Sequence, residues 1–215
     1  MSNHTATVKT KRVRFAPLVI ATSIAAAALL SVSMSGTLSG FVASITNSNN
    51  TAASGTLVME EKSTGTTPVT CLSTDGGTVS TNTATCSTIN KFGGSTNMTP
   101  GQTVTTAITI KNAGTVAANT FTLTPGATCA QTTNGTLSGT ATDFCAKVKV
   151  VITSGTTEIF NGTAATLAGS AAKSLGAVAA GVSTPFSIAV TLDSAANNTY
   201  QGLSASLPLT WSFAS

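Results

Sequence analysis

The sequence predicts an all-β chain, an antiparallel β-sandwich, and three observations predict it. Apolar residues recur with period two in short runs, β-branched and aromatic residues are over-used in those runs, and Gly, Pro and Asn clusters bound them. Each run is apolar on one face only, so two sheets must bury those faces against each other.

The elements run in chain order. Lys9, Lys11, Arg12 and Arg14 precede an apolar run from Ala16 to Val32, and small residues continue to Gly40. Charge, apolar core and small-residue exit make a secretory signal peptide. A permanent membrane anchor is the alternative, but the run falls short of the ~20 residues a spanning helix wants. Cleavage after Ser39 puts Thr37 and Ser39 at the two positions that must be small, and a cut after Gly40 is nearly equivalent. The expected organisation is a signal peptide at 1–39, an N-terminal strand and linker at 40–51, and the sandwich at 52–215.

The segment after the cut reads Phe41-Val42-Ala43-Ser44-Ile45, alternating like a strand, and Asn47-Ser48-Asn49-Asn50-Thr51 separates it from the rest of the chain. It pairs either with its own domain as an edge strand or with something else, or it frays as termini do. Farther on, Val104, Thr106, Ile108 and Ile110 share a face, as do Phe121 and Leu123. Ala146, Val148, Val150 and Ile152 form another face, then Phe186, Ile188, Val190 and Leu192, then Leu207, Leu209, Trp211 and Phe213. Residues 63–100 read as an elaborated loop with one hairpin. Residues 164–181 carry at most a short helical turn, because glycines interrupt it.

Charge and cysteines bound the function. Of the ten basic residues, Lys9, Lys11, Arg12 and Arg14 lie in the signal, as does His4, the only histidine. The six remaining lysines balance six carboxylates, so the exported chain is neutral and has no arginine. That leaves nothing to support a nucleic-acid partner, and the membrane is met only through the uncleaved signal. A typical surface is ~25–35% charged; this one is polar but nearly uncharged, and self-association meets little electrostatic resistance. Cys71, Cys86, Cys129 and Cys145 allow three pairings in an oxidising compartment. Their spacing points to two local clasps, Cys71–Cys86 and Cys129–Cys145.

Three segments together resemble the camelysin/TasA family of exported biofilm-fibre proteins. The first is the signal ending GTLSGF followed by a spacer and ASGTLVM. The second is Asn97-Met98-Thr99-Pro100-Gly101-Gln102, a strand, then Asn112-Ala113-Gly114-Thr115. The third is Asn198-Thr199-Tyr200-Gln201-Gly202 before the closing alternating strand. Physically, Pro100-Gly101 presets a tight turn, Asn112 and Gly114 suit a turn with positive φ, and Tyr200-Gln201-Gly202 ends a connection before the last strand. The four cysteines and the long 63–96 segment depart from the family pattern. The resemblance implies a jelly-roll-like sandwich, processing by a dedicated signal peptidase, and a secreted subunit of extracellular fibres. It also implies that Phe41, Val42, Ala43, Ser44 and Ile45 act as a donor strand. Donated to a neighbouring copy, the segment would build a head-to-tail homopolymer.

Other classes find less support. Some camelysin relatives carry a metallopeptidase label, but zinc proteolysis, Ser-His-Asp and Cys-His chemistry all require a histidine that the exported chain lacks. Glu60 and Glu61 leave opposite faces of a strand and cannot share a site. Asp75 precedes two glycines as a turn former does. The sequence therefore predicts no enzyme, cofactor or metal. A monomeric adhesin or binding module is the remaining alternative, though Trp211 reads as core rather than as a sugar platform.

Overall fold

The computed structural model describes residues 51–77 and 81–215. The chain divides into two units, Met1–Ala52 and Ala53–Ser215, and the β-sheets belong to the second. The signal segment, the Ser39/Gly40 cleavage site and the Phe41–Ile45 strand lie outside the described residues.

The fold is an antiparallel β-sandwich. Its strands are β1 (Met59–Ser63), β2 (Thr70–Leu72), β3 (Thr103–Asn112), β4 (Ala118–Pro125) and β5 (Ala130–Thr133). They continue with β6 (Val148–Ser154), β7 (Thr157–Thr163), β8 (Lys173–Val178), β9 (Ser183–Leu192), β10 (Leu203–Ser206) and β11 (Leu209–Ala214). One sheet has the order β2-β1-β3-β9-β6-β7, the facing sheet β11-β4-β8, and β5 pairs β10 in a small separate ladder. Single helical turns, α1 (Phe144–Lys147) and α2 (Ala164–Leu167), interrupt the strands.

Period-two alternation places the core. Ile108 and Ile110 of β3, Val150 and Ile152 of β6, and Ile188 and Val190 of β9 are buried on the inner face of the large sheet. Phe121 and Leu123 of β4 and Trp211 of β11 meet them from the other sheet. Phe121 lies 5.8 Å from Phe186, 5.8 Å from Trp211 and 4.8 Å from Phe213, centroid to centroid. This aromatic cluster joins the sheets, with edge-on contacts that suit the ring quadrupole.

Several expectations need correction. Ala146 is in phase with Val148 yet belongs to α1, because the chain turns there to bury Phe144 and to bring Cys145 to Cys129. Leu207 is buried but precedes β11. Residues 173–178, expected to be irregular, form β8; its Gly176 faces Phe121 where the register slips, and that glycine masked the alternation. Gly202 opens β10, not the last strand. The hairpin expected within 63–100 begins earlier, as β1–β2.

Asn112 and Gly114 do not adopt positive φ, contrary to expectation. Their roles are in hydrogen bonding and clearance. Asn112 is fully buried; its Nδ2 donates to Val116 O (2.8 Å) and Val178 O (3.2 Å), and its Oδ1 accepts from Gly114 N (3.0 Å). It thereby ties the β3–β4 connection to β8. Gly114 is required because the chain before β1 crosses it: a Cβ would meet Thr56 O, Val58 N at 2.8 Å and Leu57 Cα at 2.9 Å. Replacing Asn112 by Ala orphans these buried groups and is expected to cost about 2 kcal/mol, read as a lower urea midpoint. Pro100-Gly101, by contrast, makes the expected tight turn: Gln102 N donates to Thr99 O (2.9 Å), and Gly101 has φ +83.

Candidate functional site

Edge strands decide where this sandwich can accept another chain, because each presents unpaired N–H and C=O groups. The large sheet ends at β2 and β7. β2 is three residues long and is held by the Cys71–Cys86 disulfide. β7 carries Glu158, and its pairing with β6 is bulged near Thr153. In the facing sheet, β8 bears Lys173 and an irregular register with β4. All three edges are thus blunted.

β11 is not. Its six residues, Leu-Thr-Trp-Ser-Phe-Ala, contain no charge and no proline, and they pair β4 in unbroken register. Among the described residues its other edge pairs with no strand. Leu209, Trp211 and Phe213 point to the sandwich interior while Thr210, Ser212 and Ala214 are exposed.

Beside this edge the sandwich opens into a groove of about 1530 Å³. Leu57, Met59 and Ile89 line one wall, and Trp211 and Phe213 the other, with Val190 and Leu192 of β9 also lining it. The 82–100 loop, which brings Ile89 to the first wall, is pinned at three points to β1, β2 and the residue stretch just before β1. Asn82, a non-glycine residue with positive φ (+44), donates from Nδ2 to Leu57 O at 2.6 Å. Cys86 bonds Cys71 with a Cα separation of 5.9 Å. Lys91 Nζ sits 2.9 Å from Oε1 and 3.0 Å from Oε2 of buried Glu61.

This ion pair is nearly enclosed, so each charge depends on the other. Lys91→Met is expected to destabilise the domain by about 3 kcal/mol by stranding the Glu61 carboxylate. The Glu61→Gln/Lys91→Met double variant is expected to recover most of that loss, and a denaturation cycle over the four proteins measures the coupling.

A polar cluster lies near Tyr200, which also lines the groove. The Asp143 carboxylate, hydrogen-bonded to the Tyr200 phenol, pushes the phenol above its ordinary value, and desolvation adds to this. Lys147 Nζ lies 5.7 Å from the Tyr200 ring centroid and 3.4 Å from Asp193 Oδ2. The N–H of Ala195 on Oδ1 (2.8 Å) holds the Asp193 carboxyl below the usual carboxylate range; desolvation opposes the shift and Lys147 reinforces it. Among the described residues no three His, Cys, Asp or Glu side chains gather as a metal cluster would.

The residues singled out in the sequence divide around the groove. Asn97, Pro100, Tyr200, Gln201 and Gly202 line it, as do Cys71 and Cys86. Asn112 and Gly114 sit at the β3–β4 connection instead. The Cys129–Cys145 bridge ties the residue before β5 to α1 with Cα atoms 6.2 Å apart. Sequence reasoning missed Glu61 and Lys91 as a pair and read Trp211 only as core. No family model matches the chain, and no curated protein matches it.

Both expected disulfides are formed, which fits a non-reducing, extracellular or secreted setting. No helix among the described residues is long and apolar enough to cross a membrane.

Proposed function

We propose that the chain is a secreted structural subunit that assembles head-to-tail into extracellular fibres, of the biofilm-matrix or pilus-like kind, by strand exchange. The observation that carries the reading is the unblunted β11 edge beside a groove in which apolar side chains are set among polar ones. Phe41 to Thr46 has the same length as β11 and the alternation of a strand, so its backbone can complete the sheet edge while Phe41, Ala43 and Ile45 enter the groove. The donor and acceptor surfaces differ, so the contact does not close on itself and an open filament results. Release by a dedicated signal peptidase frees the donor, which makes cleavage the switch. The neutral, polar exported chain adds no repulsion between subunits.

Negative-stain microscopy of purified residues 40–215 beside 52–215, both oxidised and without added ligand, tests the reading. Filaments from the longer form alone are expected. Dispersed monomers from both would favour the adhesin alternative, and glycan and cell-surface binding would then be measured. Catalysis plays no part in this assembly, and no cofactor is needed for it.

A further inference from the structure

The two disulfides close loops of nearly equal span, 15 and 16 residues, but they do different work. The Cys129–Cys145 clasp is duplicated by hydrogen bonds. Gln131 accepts from Phe144 N and donates from Nε2 to Ala141 O, both at 2.7 Å. Ala141 N donates to Thr199 O at 3.0 Å, and β5 lies in a ladder with β10. Neither cysteine of this clasp lines the groove. The Cys71–Cys86 clasp joins edge strand β2 to the stretch that lines the groove almost continuously from Asn82 to Pro100. Among the described residues no backbone–backbone hydrogen bond runs from 82–98 to the rest of the chain. Apart from buried Ile89, side-chain contacts hold that stretch: Asn82 on Leu57 O, Lys91 on Glu61, Thr106 Oγ1 on Asn90 O (3.4 Å) and Asn134 Nδ2 on Thr96 O (2.7 Å). The disulfide is its one covalent tie.

We propose that Cys71–Cys86 is a redox latch on the groove. With the bond formed, the wall is in place and the groove is complete. With it reduced, residues 82–98 come away from β1 and β2 while the sandwich stays folded. The reductant is a low-molecular-weight thiol. Its thiolate attacks one sulfur of the bridge, and the other leaves as a thiolate and takes up a proton. A second thiol resolves the mixed disulfide, so two cysteine thiols and one oxidised reagent disulfide result, a two-electron exchange. Both cysteines are partly exposed, so a small reagent can reach them.

The consequence for assembly rests on the assembly reading. A chain held in a reducing compartment would carry an unfinished acceptor, and oxidation outside would complete it. Cleavage frees the donor and oxidation finishes the acceptor, so polymerisation needs both. The latch also has a local signature. Lys91 is nearly enclosed by its ion pair with Glu61, and release of the wall presents the Lys91–Phe92 peptide bond to a protease. A disulfide that only stabilised the whole domain would expose the core strands at the same time.

The test uses residues 40–215 carrying Cys129→Ser and Cys145→Ser, so that dithiothreitol acts on the latch alone. Oxidised, reduced and reoxidised samples are treated with iodoacetamide and then digested briefly with trypsin, and cleavage after Lys91 is read by mass. Hydrogen exchange follows β3, β4 and β9, and microscopy follows filaments. Reduction is expected to speed cleavage after Lys91 at least about tenfold, because a bond closing a loop of this length shifts local opening by more than that. The core strands should stay protected, filaments should be lost, and reoxidation should restore the oxidised behaviour. The Cys71→Ser/Cys86→Ser chain should behave as the reduced form without reductant, and its comparison with the parent decides the question if the first variant folds poorly. Cleavage after Lys91 unchanged by reduction, or core protection lost along with it, overturns the latch. Filaments formed equally well by the reduced chain overturn its role in assembly and leave the assembly reading standing. If neither oxidised nor reduced chain forms filaments, the assembly reading falls, and the cleavage and exchange data still decide whether the wall is latched.

Discussion

Deleting residues 40–46 is expected to leave a folded, soluble monomer and to abolish filaments altogether. The domain is expected to keep its interior because the core residues of β3, β4, β6 and β9 lie on facing sheets of the sandwich. Assembly loses both of its terms at once. In the proposed assembly the β11 edge would then have no partner strand, and Phe41, Ala43 and Ile45 would be missing from the groove. Circular dichroism with both disulfides intact checks the fold, and microscopy with light scattering checks the polymer. Supplying residues 40–51 as a free peptide should then cap the acceptor without extending it. Added to the undeleted chain, the same peptide should shorten filaments in proportion to its dose. Filaments that persist after the deletion would sink the donor assignment, whatever the groove turns out to hold.

Why the strand sits outside its own domain in this reading is a matter of edge physics. A long, uncharged, regular edge such as β11 invites pairing with any extended chain, which proteins normally suppress with charge, proline or bulges. Such devices are present in Glu158 of β7 and in Lys173 and the slipped register of β8, while β2, β5 and β10 are only three or four residues long; β11 is a longer edge without them. The 82–100 loop, held by Cys86, Lys91 and Asn82, keeps the groove beside that edge open instead of collapsing onto it. A preformed site lowers the ordering cost of capturing a flexible strand.

What the sequence made legible was local. Clean alternation located β3, β9, β11 and the part of β4 from Phe121 onward, because each has one wet face and one dry face there. Pro100-Gly101 declared its turn, and the cysteine spacing anticipated both clasps. β8 was hidden by Gly176, β5 by having polar residues on both faces, and β10 by its length, since Leu203 and Ala205 alternate with serines over only four residues. Asn112 was read as a turn former, since nothing local distinguishes an exposed turn asparagine from one buried against β8. The groove was illegible for a different reason. Glu61 and Lys91 are 30 residues apart, and whether β11 ends a sheet or lies within it depends on the placement of every other strand.

Phe121→Ala is expected to be the most damaging single core substitution, at about 4 kcal/mol. Phe121 is fully buried and touches rings from both sheets: Phe186 across the sandwich, Phe213 directly opposite on β11, and Trp211 beside it. Truncation removes the transfer energy of the ring and leaves a hole that these neighbours cannot close, because each is fixed on its own strand. It also loses the edge-on ring contacts, worth about 0.5–1.5 kcal/mol each beyond area. A domain of this size holds ~5–15 kcal/mol in all, so the oxidised variant should remain folded at room temperature with a urea midpoint well below that of the parent and an unchanged slope. Reducing both disulfides in the variant should then unfold it, since each clasp adds about 3 kcal/mol by restricting the unfolded chain. Phe213→Ala, at a partly exposed position facing the groove, should cost clearly less. A loss at Phe121 no greater than at Phe213 would mean that the sheets are held together elsewhere than at this cluster.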